Sequence, residues 1–156
     1  MVWANLMHRG DSLVQSTVKH PFTAEDILYV GLQPLTQEEV PRMKELGIAY
    51  TIQGVELLSN DVIGQWITAH GFTALAVHWD LDVLHPDSFH SLYFNEPGVP
   101  RFTGSSHGIY SLEQITSMLR SVQDMADIVG FTVAEYLPWD AIQLRQSLGL
   151  LSIFSE

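Results

Sequence analysis

The sequence feature that most constrains the fold is an apolar run that turns acidic and then stops at a proline. It is the stretch Ala74–Pro86, which reads Ala-Leu-Ala-Val-His-Trp-Asp-Leu-Asp-Val-Leu-His-Pro. A continuous apolar run of this length predicts a buried strand, because the strands of parallel sheets are covered on both faces. Proline cannot donate to a sheet ladder, so the strand should end before Pro86.

Alternation along this strand, which we expect over residues 74–82, brings its two aspartates to the same side. His78, Asp80 and Asp82 should share one face. The opposite face is then apolar, with Val77, Trp79, Leu81 and Val83. Two carboxylates at this spacing lie roughly 6–7 Å apart and repel by about 2.5 kcal/mol at an effective dielectric constant of about 20. A bound cation would reverse that repulsion; the alternative is a pair of solvated acids that simply follow a core strand.

Strand and helix patterns alternate along the rest of the chain. We expect strands at residues 27–32 and 48–52 and a last strand before Pro138, with helices at 1–7, 36–46, 60–70, 111–128 and 139–148. This order predicts parallel βαβ units and an α/β fold, a three-layer αβα sandwich with a mainly parallel sheet. Residues 86–107 lack a period and are rich in Pro, Gly, Ser and Asn, which predicts a loop that forms a rim over the carboxylates.

Composition narrows the classes of partner. The chain has 156 residues, 46% of them hydrophobic, so we expect a single domain over residues 1–156. Its net charge of −11 argues against nucleic acid or an anionic membrane as partner and is compatible with a cationic substrate or a metal. There is no cysteine, no signal-peptide pattern and no apolar run of membrane-spanning length, so a cytoplasmic location is the default expectation.

Three segments resemble motifs of the arginase/agmatinase (ureohydrolase) family, in the family's order. Asp80–Pro86 resembles its metal-binding motif, in which Asp-x-Asp at a strand end is followed by a short apolar step, Asp and Pro. Gly130–Pro138 resembles the family's last strand, which ends in Glu-x-Asn-Pro. Between them, Gly108–Glu113 resembles the Gly-Gly-Leu-Thr turn that opens the intervening helix. The resemblance is confined to the C-terminal half of the family and implies a truncated arginase-like fold.

The resemblance also implies an activity and a site. It implies hydrolysis of a guanidino or amidino C–N bond by a metal-bound hydroxide, with two Mn²⁺ ions as cofactor and Asp80 and Asp82 among their ligands. Glu135 corresponds to the acid that holds the substrate guanidinium; its alternative reading is a capping or edge acid beside Pro138. The substrate is then a small cationic guanidino or amidino compound, with arginine, agmatine, guanidinobutyrate and formiminoglutamate all open.

Two histidines are expected to support the metal ligands from behind. His78 lies one pleat deeper than Asp80 on the same face, where a supporting or a core histidine is expected rather than a ligand. His85 stands where the family has the Asp before Pro. The other histidines show no ligand spacing.

The family's remaining ligands belong to Gly-Gly-Asp-His and Asp-Ala-His-x-Asp motifs, and neither motif occurs in this sequence. Residues 1–7 resemble the helix that follows Asp-Ala-His, so the chain is expected to begin one motif late and to be an incomplete portion, inactive alone and with weak or absent Mn²⁺ binding. The alternative is a non-catalytic α/β domain, or a degenerate family member that acts in protein interaction.

Assembly follows from the same resemblance. In the family, the Asp-Ala-His strand lies between the strands expected here at 27–32 and 74–82. Its absence leaves two strand edges unpaired, which predicts a homo-oligomer that covers them, with direct pairing of the two strands as the second possibility.

Overall fold

Helices and strands alternate along the chain. The computed structural model describes residues 2–54, 61–101, 106–139 and 141–155. Its helices are α1 (Val2–Leu6), α2 (Ser12–Gln15), α3 (Glu39–Leu46), α4 (Asp61–His70), α5 (Leu112–Gln123) and α6 (Ala141–Leu148). Its strands are β1 (Leu28–Leu32), β2 (Ala49–Ile52), β3 (Ala74–Asp80) and β4 (Asp127–Ala134). Short 3₁₀ turns lie at Ala24–Asp26, Leu81–Val83, Tyr93–Asn95 and Ser152–Phe154.

The strands form two parallel pairs. β1 pairs with β2, from Leu28 opposite Ala49 to Leu32 opposite Ile52. β3 pairs with β4, from Ala74 opposite Asp127 to Asp80 opposite Ala134. Parallel strands joined by helical crossovers confirm the predicted α/β class.

Local sequence explains where the helices begin. Ser111 accepts a hydrogen bond from the Gln114 N–H at 3.2 Å, and the Gln114 side chain accepts one from the Ser111 N–H at 2.8 Å, which is a capping box before α5. Thr36 and Glu39 make the same reciprocal pair before α3. Ser111 is thus the N-cap of α5, whereas α3 begins three residues after Thr36, at Glu39, and not at residue 36 as expected.

Apolar layers cover β1 on both faces. On one face, Tyr29 packs with a cluster built on Met7, Ile27 and Ile48, next to α1 and α3. On the other face, Leu28 and Val30 pack against a cluster that includes Ile63 and Ile67 of α4. Helices thus flank this sheet on two sides, as a layered α/β fold requires.

β3 is covered unequally. Leu75 and Val77 pack against the α4 and α5 cluster, and Trp79 is buried in the largest core cluster. Ala76 and His78, which alternate with them, are exposed. The strand alternates as predicted, but only one of its two faces lies in the core.

The strand pairs are not joined into one sheet in the described part of the chain. No backbone ladder links β1 to β3 there, so direct pairing of these two strands is not what the fold uses. Near the carboxyl end of β1, the backbone of Gly31 lies against side chains from the turn after β3 and from the segment before α5: a Cβ placed on Gly31 would lie 3.5 Å from Cγ2 of Val83 and 3.3 Å from Cε2 of Tyr110.

One expectation about the middle of the chain was wrong. The predicted helix 111–128 ends at Gln123, and β4 begins at Asp127, because the Asp127 N–H bonds the Thr73 carbonyl at 2.9 Å and extends the ladder with β3. The loop that starts at Pro86 is more than a rim. Its Phe89, Leu92 and Phe94 are buried in the core beside Leu81 and Leu84. Residues 102–105 of that loop lie outside the described residues.

Candidate functional site

Asp80 is the last residue of β3, and the chain turns immediately after it. Its side chain caps a 3₁₀ turn at Leu81–Val83, with Oδ1 3.5 Å from the backbone nitrogen of Asp82. The predicted strand to residue 82 is therefore two residues too long. An aspartate oxygen that accepts from the N–H two residues later favours a turn over continued strand.

The turn places Asp82 beside Asp80 rather than one pleat further along the same face. Leu81 is fully buried and Asp82 is half-buried, while Asp80 is exposed. The turn continues into Leu84, which forms an isolated parallel bridge with Tyr110. The local backbone is thus held in place by residues that lie just before α5.

Glu135 reaches the same edge from β4. Asp80 lies opposite Ala134 in the ladder, and Glu135 follows Ala134 directly. Its backbone has φ of 59°, a left-handed conformation that non-glycine residues rarely adopt. The left-handed residue ends β4 and turns the chain at the carboxyl end of the strand, and such outliers concentrate at functional sites.

The carboxylates influence one another. The pKa of Asp82 is raised to about 6, first by burial and then by the neighbouring charges of Asp80 and Glu135 and a hydrogen bond with Asp80. A half-buried acid between two other acids holds its proton longer than usual. The site is therefore short of positive charge, which is what a cation would supply.

The donor set does not fit a closed metal site. Across the described ranges, no group of three or more His, Asp or Glu side chains is arranged to hold a metal ion. Asp80 and Asp82 have the oxygen donors that Mn²⁺ accepts, but two carboxylates cannot enclose two ions. The expectation of weak or absent Mn²⁺ binding by this chain stays a prediction.

The two histidines point to other partners. Nδ1 of His78 lies 2.6 Å from Oγ1 of Thr132 on β4, across the exposed face of the sheet. Nδ1 of His85 accepts from the Asp87 N–H at 3.1 Å, and its ring packs edge-on against His107 with ring centroids 4.9 Å apart. The core alternative for His78 is wrong because its side chain is exposed. The supporting roles of His78 and His85 stay predictions.

Sequence reasoning missed an ionic clamp in the loop after Pro86. Arg101 pairs with Asp87 and donates to Oδ1 of Asn95 at 2.7 Å, and Asn95 donates to the Pro86 carbonyl at 2.7 Å. These contacts fold the loop back on the proline that follows the carboxylates. The pairing joins residues fourteen positions apart, so no local spacing rule marks it.

Comparison with known proteins identifies the fold. No protein-family model and no curated protein sequence matches this chain. Solved structures do match: the chain superposes on arginase from Entamoeba histolytica in complex with L-ornithine with a TM-score of 0.71 and 20% identity, over 99% of this chain and 51% of that one. Arginase from Bacillus caldovelox matches with a TM-score of 0.66 and 17% identity, over 98% and 51%.

A hypothetical agmatinase from Burkholderia thailandensis matches with a TM-score of 0.54 and 15% identity, over 88% of this chain and 39% of that one. The chain therefore has an arginase-like fold, and it spans about half the length of the arginases that it matches. The fold predicted from the three motifs is confirmed.

A search of the described helices finds none that is both long and apolar enough to cross a membrane.

Proposed function

We propose that this chain carries part of the site of an arginase-type hydrolase, which cleaves a guanidino or amidino C–N bond. The observation that supports this most strongly is the convergence of Asp80, Asp82 and Glu135 at one edge of the β3–β4 pair. The arginase-like fold is consistent with it. In an open α/β sheet, ligands bind at the carboxyl ends of the strands, where these acids lie.

Each acid has a proposed role. Asp80 and Asp82 would contribute oxygen ligands to Mn²⁺ in a complete site, and Glu135 would hold the substrate's guanidinium. Because the described residues do not enclose a metal, we propose that the chain is an incomplete portion with little Mn²⁺ affinity and no hydrolysis by itself.

Recognition of a guanidinium requires only the chain's own acids. A guanidinium is planar and presents its N–H donors as a fork that matches the two oxygens of a carboxylate. Glu135 is exposed and lies next to two further acids, so a cation at this edge gains from all three charges. An ammonium gains the same charge attraction without the paired geometry.

An NMR titration with L-arginine against L-lysine tests this substrate class. We expect millimolar L-arginine to shift the backbone resonances of Asp82 and Glu135 at pH 8, and L-lysine to shift them less. Glu135→Gln should weaken the arginine response about tenfold, as loss of a charged hydrogen-bond pair does. Equal responses to the two amino acids, or shifts spread evenly over the surface, would overturn the proposal.

We also propose that the chain forms a homo-oligomer in the cytoplasm. Ala76 and His78 are exposed on the uncovered face of β3, and β1 and β3 share no ladder in the described ranges. Open strand edges are templates for further pairing. Light scattering at low micromolar concentration should give a dimer or a larger species, and a monomer would contradict the assembly. These open edges equally favour the second candidate function, a non-catalytic domain that acts in protein interaction.

A further inference from the structure

Residues 108–110 run alongside the turn that carries Asp82. The Gly108 N–H donates to the Asp82 carbonyl at 2.9 Å, and the Tyr110 N–H donates to the Val83 carbonyl at 3.3 Å. In return, the His85 N–H donates to the Tyr110 carbonyl at 2.8 Å. Three backbone hydrogen bonds thus fasten the turn to the strand-like segment that precedes α5.

Gly108 fits this position because there is no room for a side chain. A Cβ placed on it would lie 1.9 Å from both the carbonyl carbon and the oxygen of Val83. Those are backbone atoms, so the turn itself would have to move to admit even an alanine. The close approach, rather than an unusual φ, requires the glycine.

The side chain of Tyr110 connects this segment to the other strand pair, β1 and β2. Its side chain is 3% exposed, and its hydroxyl accepts from the Gly54 N–H at 2.8 Å and donates to the Gly54 carbonyl at 3.0 Å. Gly54 follows β2 by two residues. Since no ladder joins the two strand pairs within the described residues, this phenol is a polar link between the end of β2 and the segment that holds the Asp82 turn.

We propose that Tyr110 is a positioning residue for Asp82. It touches none of the three carboxylates in the hydrogen bonds described above; it acts through the backbone, by tying the Gly108–Tyr110 segment to Gly54. The inference rests on the proposed function only for what Asp82 does, because the link itself is a property of the chain without metal or substrate. Loss of the hydroxyl leaves the ring in the core and removes both hydrogen bonds to Gly54, so the segment keeps the longer contact in which the Gln53 side chain donates to the His107 carbonyl at 3.4 Å.

Amide hydrogen exchange in the whole chain, followed by NMR, tests this role with Tyr110→Phe. We expect exchange at both Gly54 and Gly108 to speed up roughly tenfold or more, because the substitution removes both hydrogen bonds between the hydroxyl and Gly54. The Gly108 amide does not touch the phenol, so its response reports on the turn. The amide of Val133 in β4 should keep its rate. The matched control is Tyr50→Phe, at an exposed tyrosine of β2, which should change neither glycine.

Faster exchange at Gly54 alone, or an equal rise at Gly54, Gly108 and Val133, would overturn the inference, because the hydroxyl would then act only locally or only on global stability. The unmutated chain gives a second measurement in case the variant does not fold. Gly54 and Gly108 should open with the same dependence on low denaturant, whereas different dependences would overturn the coupling. Neither measurement uses metal or ligand, so its failure is distinct from failure of the arginine titration.

Discussion

Oδ1 of Asp80 lies 3.5 Å from the backbone nitrogen of Asp82, so the first aspartate caps the turn on which the second one sits. This contact ends β3 and brings two acids together at its carboxyl end. The second acid is half-buried, and its pKa is raised from the usual 3.8 to about 6. The arrangement is costly for a chain without a bound cation, and that cost is measurable.

Stability should therefore fall as the pH rises from about 4 to 6. Below pH 4 Asp82 is protonated in both the folded and the unfolded chain. Between the two pKa values only the unfolded chain has lost the proton, so ionisation favours unfolding, and above pH 6 the full penalty remains. We expect Asp82→Asn to raise the free energy of unfolding at pH 8 by about 1–2 kcal/mol, a figure reduced for the partial exposure of the group.

Urea titrations at pH 4 and pH 8 measure this effect. The matched control is Asp87→Asn, because the Arg101 guanidinium lowers the pKa of Asp87. An acid whose pKa is lowered by folding stabilises the folded chain at pH values above its usual pKa. Asp87→Asn should therefore lower the free energy of unfolding at pH 8, whereas Asp82→Asn should raise it. The same sign for the two changes in unfolding free energy would contradict the assignment of Asp82 as the acid whose ionisation destabilises the fold.

Glu135 should lower the stability of the fold through its backbone conformation and support arginine binding through its carboxylate. Its left-handed φ of 59° suits glycine better than a residue with a Cβ, so Glu135→Gly should stabilise the chain by about 1 kcal/mol while arginine binding is lost. Glu135→Gln separates the two effects, since it removes the charge and keeps the backbone strain. Thermal unfolding of the three proteins measures the difference, and a less stable Glu135→Gly variant would mean that the conformation is not strained.

Phe89 tests whether the loop after Pro86 belongs to the core. Its side chain is fully buried among Leu81, Leu84 and Leu92, so Phe89→Ala should cost about 3–5 kcal/mol of unfolding free energy. Val99→Ala in the same loop removes an exposed side chain and should cost less than about 0.5 kcal/mol. Similar small losses of unfolding free energy at both positions, measured by urea unfolding, would show that the loop is not part of the core and forms only the rim that its composition predicts.

Much of the fold follows from local pattern. The apolar run before Asp80 predicts β3, the helical spacing that follows Ser111 predicts α5, and their alternation with the other segments predicts the α/β class. These features depend on residues within a few positions of one another, where periodicity and capping act.

The rest depends on contacts that local pattern does not contain. β3 ends at Asp80 because its side chain caps the following turn in place of continued strand pairing. β4 begins earlier than expected because the Asp127 N–H bonds the carbonyl of Thr73, more than fifty residues away in the chain. The site shows the same limit. Motif resemblance identifies Asp80, Asp82 and Glu135, whereas the contact of Tyr110 with Gly54 joins distant segments and has no local signal. The need for glycine at position 108 likewise has no local signal, because it comes from the close approach of the Val83 backbone.

Metal content of the purified chain tests the central claim most directly. The chain should be equilibrated with Mn²⁺ at micromolar concentration, dialysed, and analysed for bound metal per chain, with Asp80→Ala treated in parallel. Two carboxylates without the remaining donors should retain almost no ion, and the variant should not differ from the parent. Retention of one or two Mn²⁺ ions per chain, lost in Asp80→Ala, would show that this chain builds a complete metal site and would contradict the account.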